Sequence, residues 1–76
     1  MSEHTLDAKG LNCPLPIIKA RRALKEVPVN GLLEILATDS GSVADFQAFC
    51  RMTGNELVEH SRDGDVYRFL IKRTET

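Results

Sequence analysis

Glycine and proline residues divide this chain into short segments, and this division limits the possible folds more than any other feature. Gly10, Pro28, Gly31 and Gly54 each separate stretches whose apolar residues recur with a regular period. Apolar residues at alternate positions predict strands, whereas a spacing of three or four predicts helices. Because the chain has 76 residues, enough for one small core, we expect a single domain over residues 1–76.

The periodic segments predict four strands and two helices. Pro28 ends the first helix because it supplies no backbone N–H, and Gly54 is a typical residue after a helix. Asp63-Gly64 predicts a tight hairpin turn near the end of the chain. The predicted order is strand 4–8, helix 16–27, strand 32–38, a helix from the possible N-caps at 39–42 to about 53, strand 56–62 and strand 66–73.

The β-α-β-α-β-β order predicts an α+β fold, a two-layer α/β sandwich with both helices on one face of a mixed four-stranded sheet. A right-handed crossover makes the first two strands parallel, while the final hairpin is antiparallel. The other face then carries Leu32, Leu36, Val66 and Leu70. Two interpretations stay open: a surface for a partner or a second copy, or apolar groups screened by long Arg and Lys side chains.

Composition excludes several classes of protein. Ten Lys and Arg against eleven Asp and Glu give a net charge of −1, whereas nucleic-acid-binding domains are usually strongly basic. Two cysteines are too few for a disulfide scaffold or a four-thiolate zinc site. Apolar stretches are far shorter than the roughly 20 residues that span a membrane, and the first residues do not resemble a secretory signal. We therefore predict a cytoplasmic protein with reduced thiols.

The segment Gly10-Leu11-Asn12-Cys13-Pro14-Leu15-Pro16 places a cysteine at the start of the first helix. The positive end of the helix dipole favours a thiolate there, which predicts a pKa lowered toward neutrality. Such a thiol suits the acceptance and release of a sulfur atom. The alternative is a small apolar side chain that fills the helix start. Neither His4 nor His60 can be placed against Cys13 from sequence, which argues against a cysteine hydrolase.

This segment, in its place before the first helix, resembles the corresponding Cys-Pro-x-Pro segment of the TusA/SirA family of sulfur carriers. The resemblance covers nearly the whole chain and includes Asp7-Ala8, Ala37-Thr38-Asp39, Phe49-Cys50 and Tyr67-Arg68-Phe69-Leu70-Ile71. It implies a persulfide on Cys13, with Gly10, Pro14 and Pro16 as supporting residues, and no metal or separate cofactor. It also implies a carrier, with sulfurtransferase-type activity through Cys13, more than a true enzyme.

The resemblance further implies two kinds of partner, a cysteine desulfurase or rhodanese-like donor and a downstream acceptor. Family members serve tRNA 2-thiolation, dissimilatory sulfur oxidation and molybdenum-cofactor pathways, and the sequence does not choose among them. Selenium transfer by the same cysteine stays open. A dithiol oxidoreductase is disfavoured because Pro16 occupies the position of a second cysteine.

Basic residues concentrate on the first helix, at Lys19, Arg21, Arg22 and Lys25. They predict either a solvated face or a docking face for acidic partners. The same residues support an alternative function, a small regulatory or RNA-binding module. The net charge and the core positions expected for the four aromatic residues argue against direct nucleic-acid binding.

Cys50 shares a helical face with Val43 and Phe46, which predicts a thiol packed in the core. The alternative is a resolving cysteine that forms a disulfide with Cys13, which requires Cα atoms within about 7 Å. Asp39 and Asp45 fit capping and first-turn roles in the second helix.

Overall fold

The computed structural model describes residues 4–74 and contains the six predicted elements in the predicted order. They are β1 (His4–Ala8), α1 (Leu15–Leu24), β2 (Leu32–Ala37), α2 (Ser42–Thr53), β3 (Glu56–Asp63) and β4 (Val66–Lys72). Each strand boundary agrees with the sequence prediction to within one residue. Neither helix of the described region is long and apolar enough to cross a membrane.

The four strands form one mixed sheet in the order β1-β2-β4-β3. β1 and β2 are parallel, with Leu6 opposite Ile35, whereas β4 is antiparallel to both of its neighbours. The parallel pair requires α1 to cross over between its strands. As a result, the carboxyl ends of β1 and β2 meet at one edge of the sheet, and the loops that follow them are neighbours.

Both helices pack on the same face of this sheet and enclose one hydrophobic core. Phe46 of α2 and Phe69 of β4 are completely buried, with ring centroids 4.7 Å apart. Alternation along the strands brings every second residue to this face. The buried cluster consists of Ala20, Leu24, Val27, Leu33, Ile35, Ala37, Phe46, Phe49, Cys50, Phe69 and Ile71. The two-layer α+β sandwich is therefore confirmed.

The opposite face of the sheet carries a polar network between its half-buried apolar side chains. Arg68 pairs with Glu34 and, at 3.1 Å, with Glu59, and Thr5 donates a hydrogen bond to Glu34. The guanidinium of Arg68 holds the pKa of Glu34 below its ordinary value. This arrangement favours the second interpretation of this face, in which a long charged side chain screens scattered apolar groups.

The first helix ends three residues earlier than predicted, at Leu24. The next three N–H groups, from Lys25 to Val27, donate to carbonyls three residues back at 3.0–3.2 Å, which is the tighter 3₁₀ pattern. Pro28 explains the change, because it restricts the residue before it to extended backbone and supplies no N–H. Val27 itself is buried.

The final hairpin turns one residue later than predicted. Asp63 pairs with Val66, so the two loop residues are Gly64 and Asp65, not Asp63 and Gly64. Gly64 has a φ of 62°, and a glycine at the first central position is typical of a type II′ turn. Sequence reasoning also missed a bulge between Leu57 and Glu59 on the edge strand β3.

Candidate functional site

Cys13 lies in the loop between β1 and α1, at the sheet edge where the two parallel strands end. Gly10 opens this loop with a φ of 83°, a conformation that favours glycine. Its N–H donates to the Thr38 hydroxyl at 2.9 Å, and the Cys13 N–H donates to the Asp39 carboxylate at 3.3 Å. Both acceptors directly follow β2, so the loop is held to the neighbouring strand's end.

The two prolines of the segment flank the first residue of the helix. α1 begins at Leu15, one residue before the predicted start, with Pro14 as its N-cap and a cis bond between Cys13 and Pro14. Pro16 is buried in the first turn, where a missing N–H leaves no helical hydrogen bond unmade. Cys13 itself is exposed, so the alternative of a side chain filling the helix start is wrong.

Two carboxylates contact Cys13 from the other side of the loop. The Cys13 Sγ and one carboxylate oxygen each of Asp39 and Asp45 lie within 4.8 Å of one another. A hydrogen bond to Asp45 raises the pKa of the Cys13 thiol, and the negative charges of Asp45 and Asp39 act in the same direction. The predicted lowering of this pKa is therefore wrong. That prediction follows from the helix dipole alone, whereas both carboxylates come from elsewhere in the chain.

The two aspartates have roles that local sequence did not reveal. Asp45 lies in the first turn of α2, as predicted, but the N-cap is Gly41 and no side chain caps the helix. The Asp39 carboxylate accepts the Cys13 N–H instead. A thiol and two carboxylates can also bind a cation, but both carboxylates are already explained by their contacts with Cys13. We therefore assign no metal site to this cluster.

A groove between α1 and α2 begins at Cys13 and has a volume of about 280 Å³. Arg21 and Asp45 are the charged residues in its lining, and the rest is mainly apolar: Pro14, Ile17, Ala48, Phe49 and Met52. Met52 is 85% exposed, an unusual position for a flexible apolar side chain. Local sequence does not predict this groove, because its two walls come from different helices.

Lys19, Arg21 and Arg22 of α1 and its C-cap Lys25 are all exposed, but they do not form one patch. Arg21 lines the groove beside Cys13 and, with Lys25 and Arg73, an adjoining cavity of about 440 Å³. Lys19 and Arg22 lie on the other side of the helix, beside the half-exposed side chains of Leu15 and Ile18. Of the predicted docking residues, only Arg21 therefore lines the groove that contains the thiol.

Cys50 is buried in α2, and burial raises its pKa to about 11. Both cysteines are free thiols. A buried thiol with so high a pKa is a poor nucleophile at neutral pH. The prediction of a packed core thiol is confirmed, and Cys13 is the accessible thiol of the described region.

The sequence model of the family described as "Sulfurtransferase TusA" matches residues 4–73. The chain belongs to the TusA family. It is 49% identical over 72 residues to the sulfur carrier protein TusA of Allochromatium vinosum, with 95% of each chain covered. It is 43% identical to a putative sulfur carrier protein of Neisseria meningitidis serogroup A, with 95% of this chain and 97% of the relative covered.

A solved structure of a related protein has the same fold. The crystal structure of a SirA-like protein from Desulfitobacterium hafniense superposes with a TM-score of 0.79 at 30% identity, covering 93% of this chain and 97% of the other. The resemblance to the TusA/SirA family is thus confirmed. Membership supports a general role as a sulfur carrier, with donor and acceptor partners.

Proposed function

We propose that this protein carries sulfur as a persulfide on Cys13. The observation that carries the proposal is the placement of one exposed thiol at the end of a largely apolar groove, in a chain of the TusA family. The donor is a cysteine desulfurase or a rhodanese-like protein. The acceptor is a protein of tRNA 2-thiolation, dissimilatory sulfur oxidation or a molybdenum-cofactor pathway.

The transfer is an exchange between sulfur atoms without net oxidation. The Cys13 Sγ attacks the terminal sulfur of the donor's persulfide, a new S–S bond forms, and the donor cysteine leaves as a thiolate with the electron pair of the broken S–S bond. The Cys13 proton passes to a base. In the second transfer, an acceptor thiolate attacks the terminal sulfur of the Cys13 persulfide. The Cys13 Sγ then leaves as a thiolate and regains a proton.

The surroundings of Cys13 fit a carrier better than an enzyme with its own nucleophile-activating base. The described side chains that contact the thiol or line its groove include no histidine. His60 instead stacks near Phe69, in the hairpin. A thiol with a raised pKa and no cationic partner among residues 4–74 acts slowly alone, so we propose that each partner supplies part of the catalytic environment.

The RNA-binding alternative receives no support from the aromatic side chains. Phe46, Phe49 and Phe69 are buried, and Tyr67 is half-buried beneath the guanidinium of Arg62 at 5.5 Å. None of these rings is available as the flat exposed platform on which single-stranded bases stack.

Loading by a donor tests the proposal. Incubation with a cysteine desulfurase and cysteine should add about 32 Da, the mass of one sulfur atom, and a thiol reductant should remove it. Intact-protein mass spectrometry measures the gain. Subsequent addition of an acceptor protein should return the mass to its starting value. If desulfurases and rhodanese-like donors all leave the mass unchanged, the proposal is wrong.

Arg21 provides a test of docking. We expect Arg21→Glu to lower the second-order rate of loading by roughly three- to tenfold at low salt, because the variant repels an acidic donor surface. The difference should shrink in high salt, where charges are screened. Stopped samples analysed by mass spectrometry give the rates.

Arg51→Glu is the matched control for this charge reversal. Arg51 is also exposed and helical, but it lines neither of the two cavities that contain Arg21. Its reversal should leave the loading rate nearly unchanged. Equal losses in the two variants would show that net charge, not a docking site beside Cys13, controls the encounter.

A further inference from the structure

The two outer strands of the sheet, β1 and β3, differ in how they are protected against pairing with another chain. An outer strand exposes a row of backbone N–H and C=O groups, which proteins protect with bulges and charged side chains. β3 has both, a bulge between Leu57 and Glu59 and further exposed charges at Arg62 and Asp63. β1 pairs regularly with β2, its one partner strand within residues 4–74. Its outer side is therefore the less protected one.

A cavity of about 350 Å³ lies beside this strand, between β1 and α1. Leu15 and Ile18 remain 45% and 44% exposed there, so their apolar surface is only partly covered by the rest of the chain. The lining consists of Leu6, Leu15, Ile18, Lys19 and Arg22. We call these five residues, together with the outer side of β1, the β1 surface.

The charges of the β1 surface select the kind of partner. Lys19 and Arg22 are both exposed, and neither forms an ion pair with another residue of the described region. The described residues that line the cavity include no acidic one. A second copy of this chain, paired strand to strand along β1, would bring two Lys19 and two Arg22 side chains to one interface, where like charges repel. An acidic partner supplies opposite charges instead.

We propose that the β1 surface binds an extended acidic segment of a partner protein, which adds a strand to the sheet along β1. Backbone hydrogen bonds supply affinity in this mode, and side chains at every second position of the segment face α1. Apolar side chains there contact Leu15 and Ile18, and acidic ones pair with the neighbouring cations. The β1 surface shares no lining residue with the groove at Cys13, so this inference does not depend on sulfur transfer.

Titration of the protein with short peptides, followed by NMR, tests the inference. The probes are Val-Thr-Val-Thr-Glu-Thr-Glu and its reversed sequence, both with blocked ends, which place Val and Glu on one face of a strand running in either direction. Peptides with Lys in place of Glu are the matched controls. We expect one acidic peptide to shift the amide signals of β1, Lys19 and Arg22 in a saturable way. The basic peptides should bind roughly tenfold more weakly, the effect of two exposed ion pairs.

Reversal of the protein's charges should reverse this preference. The double variant Lys19→Glu with Arg22→Glu should bind the basic peptide roughly tenfold more tightly than the acidic one. Lys25→Glu with Arg51→Glu is the matched control, because it changes the net charge equally at exposed residues that do not line the β1 surface. This control should still prefer the acidic peptide. Equal effects of the two double variants would show that net charge alone attracts the peptide, and would overturn the inference.

N-methylation of the peptide tests the added strand itself. Successive N–H groups of a strand point to opposite sides. Methylation of one alternate set of amides should therefore abolish binding, whereas methylation of the other set should weaken it little. Equal losses for the two sets would show that the segment binds through side chains alone, and that no strand is added.

Other occupants of the β1 surface would give different results, and each would overturn the proposal. A dimer in sedimentation velocity that Ile18→Glu dissociates would assign the surface to a second copy of this chain. Binding to phosphatidylglycerol vesicles but to no peptide would assign it to a membrane. Shifts confined to the groove, at residues such as Met52, would place the acidic segment elsewhere. Because peptide binding needs no persulfide, a failure of sulfur loading would leave this inference intact.

Discussion

Replacing Cys13 by serine is expected to abolish sulfur loading while leaving the fold intact. A hydroxyl oxygen cannot form the S–S bond that holds the carried atom, so the mass gain of about 32 Da should disappear completely. Because the Cys13 side chain is exposed, stability should change by no more than about 0.5 kcal/mol. Mass spectrometry after incubation with a donor, together with urea denaturation, measures the two effects.

Cys50→Ala is the matched control for loss of a thiol. Cys50 is 5% exposed, and its burial raises the pKa to about 11, so donors should not reach or use it. We expect this variant to load like the wild type and to lose about 1 kcal/mol of stability, since a buried group is removed from the core. Loading of the Cys13→Ser protein would show that Cys50 accepts sulfur and that the assignment of the site is wrong.

The fold could be predicted because its signals are local and agree with one another. The alternation of Tyr67, Phe69 and Ile71 predicts one buried face, and β4 places Phe69 and Ile71 in the core. Gly54 ends α2 with a φ of 83°, as its position indicates. The errors lie where local rules compete, at the tight turn before Pro28 and at the shifted loop after Asp63.

The site could be predicted only in part, because its electrostatics come from residues distant in sequence. The helix-start position identifies Cys13 from local pattern alone. The contacts with Asp39 and Asp45 depend instead on which strand ends lie side by side and on how the two helices pack. From local sequence, both aspartates are explained as residues at the start of a helix. That explanation gives no reason to expect their contact with the thiol, or a pKa of Cys13 that is raised and not lowered.

Phe46→Ala is expected to have the largest effect on stability. Phe46 is completely buried, with ring centroids 4.7 Å from Phe69 and 6.3 Å from Phe49. Loss of a buried aromatic side chain costs about 3–5 kcal/mol. A 76-residue domain has roughly 4–11 kcal/mol in total, so much of the variant should be unfolded. Urea denaturation followed by circular dichroism measures the shift of the midpoint.

Met52→Ala on the same helix is the control, since a side chain that is 85% exposed should change stability by no more than about 0.5 kcal/mol. Phe46 also affects the site, because it lies on the helix that carries Asp45. Phe46 anchors α2 to the sheet, and Asp45 is its neighbour in the same first turns, so loosening this anchor should also release the thiol from its carboxylate. A Phe46→Ala protein as stable as Met52→Ala would show that the core does not depend on this ring, and that packing of α2 does not fix the position of Asp45.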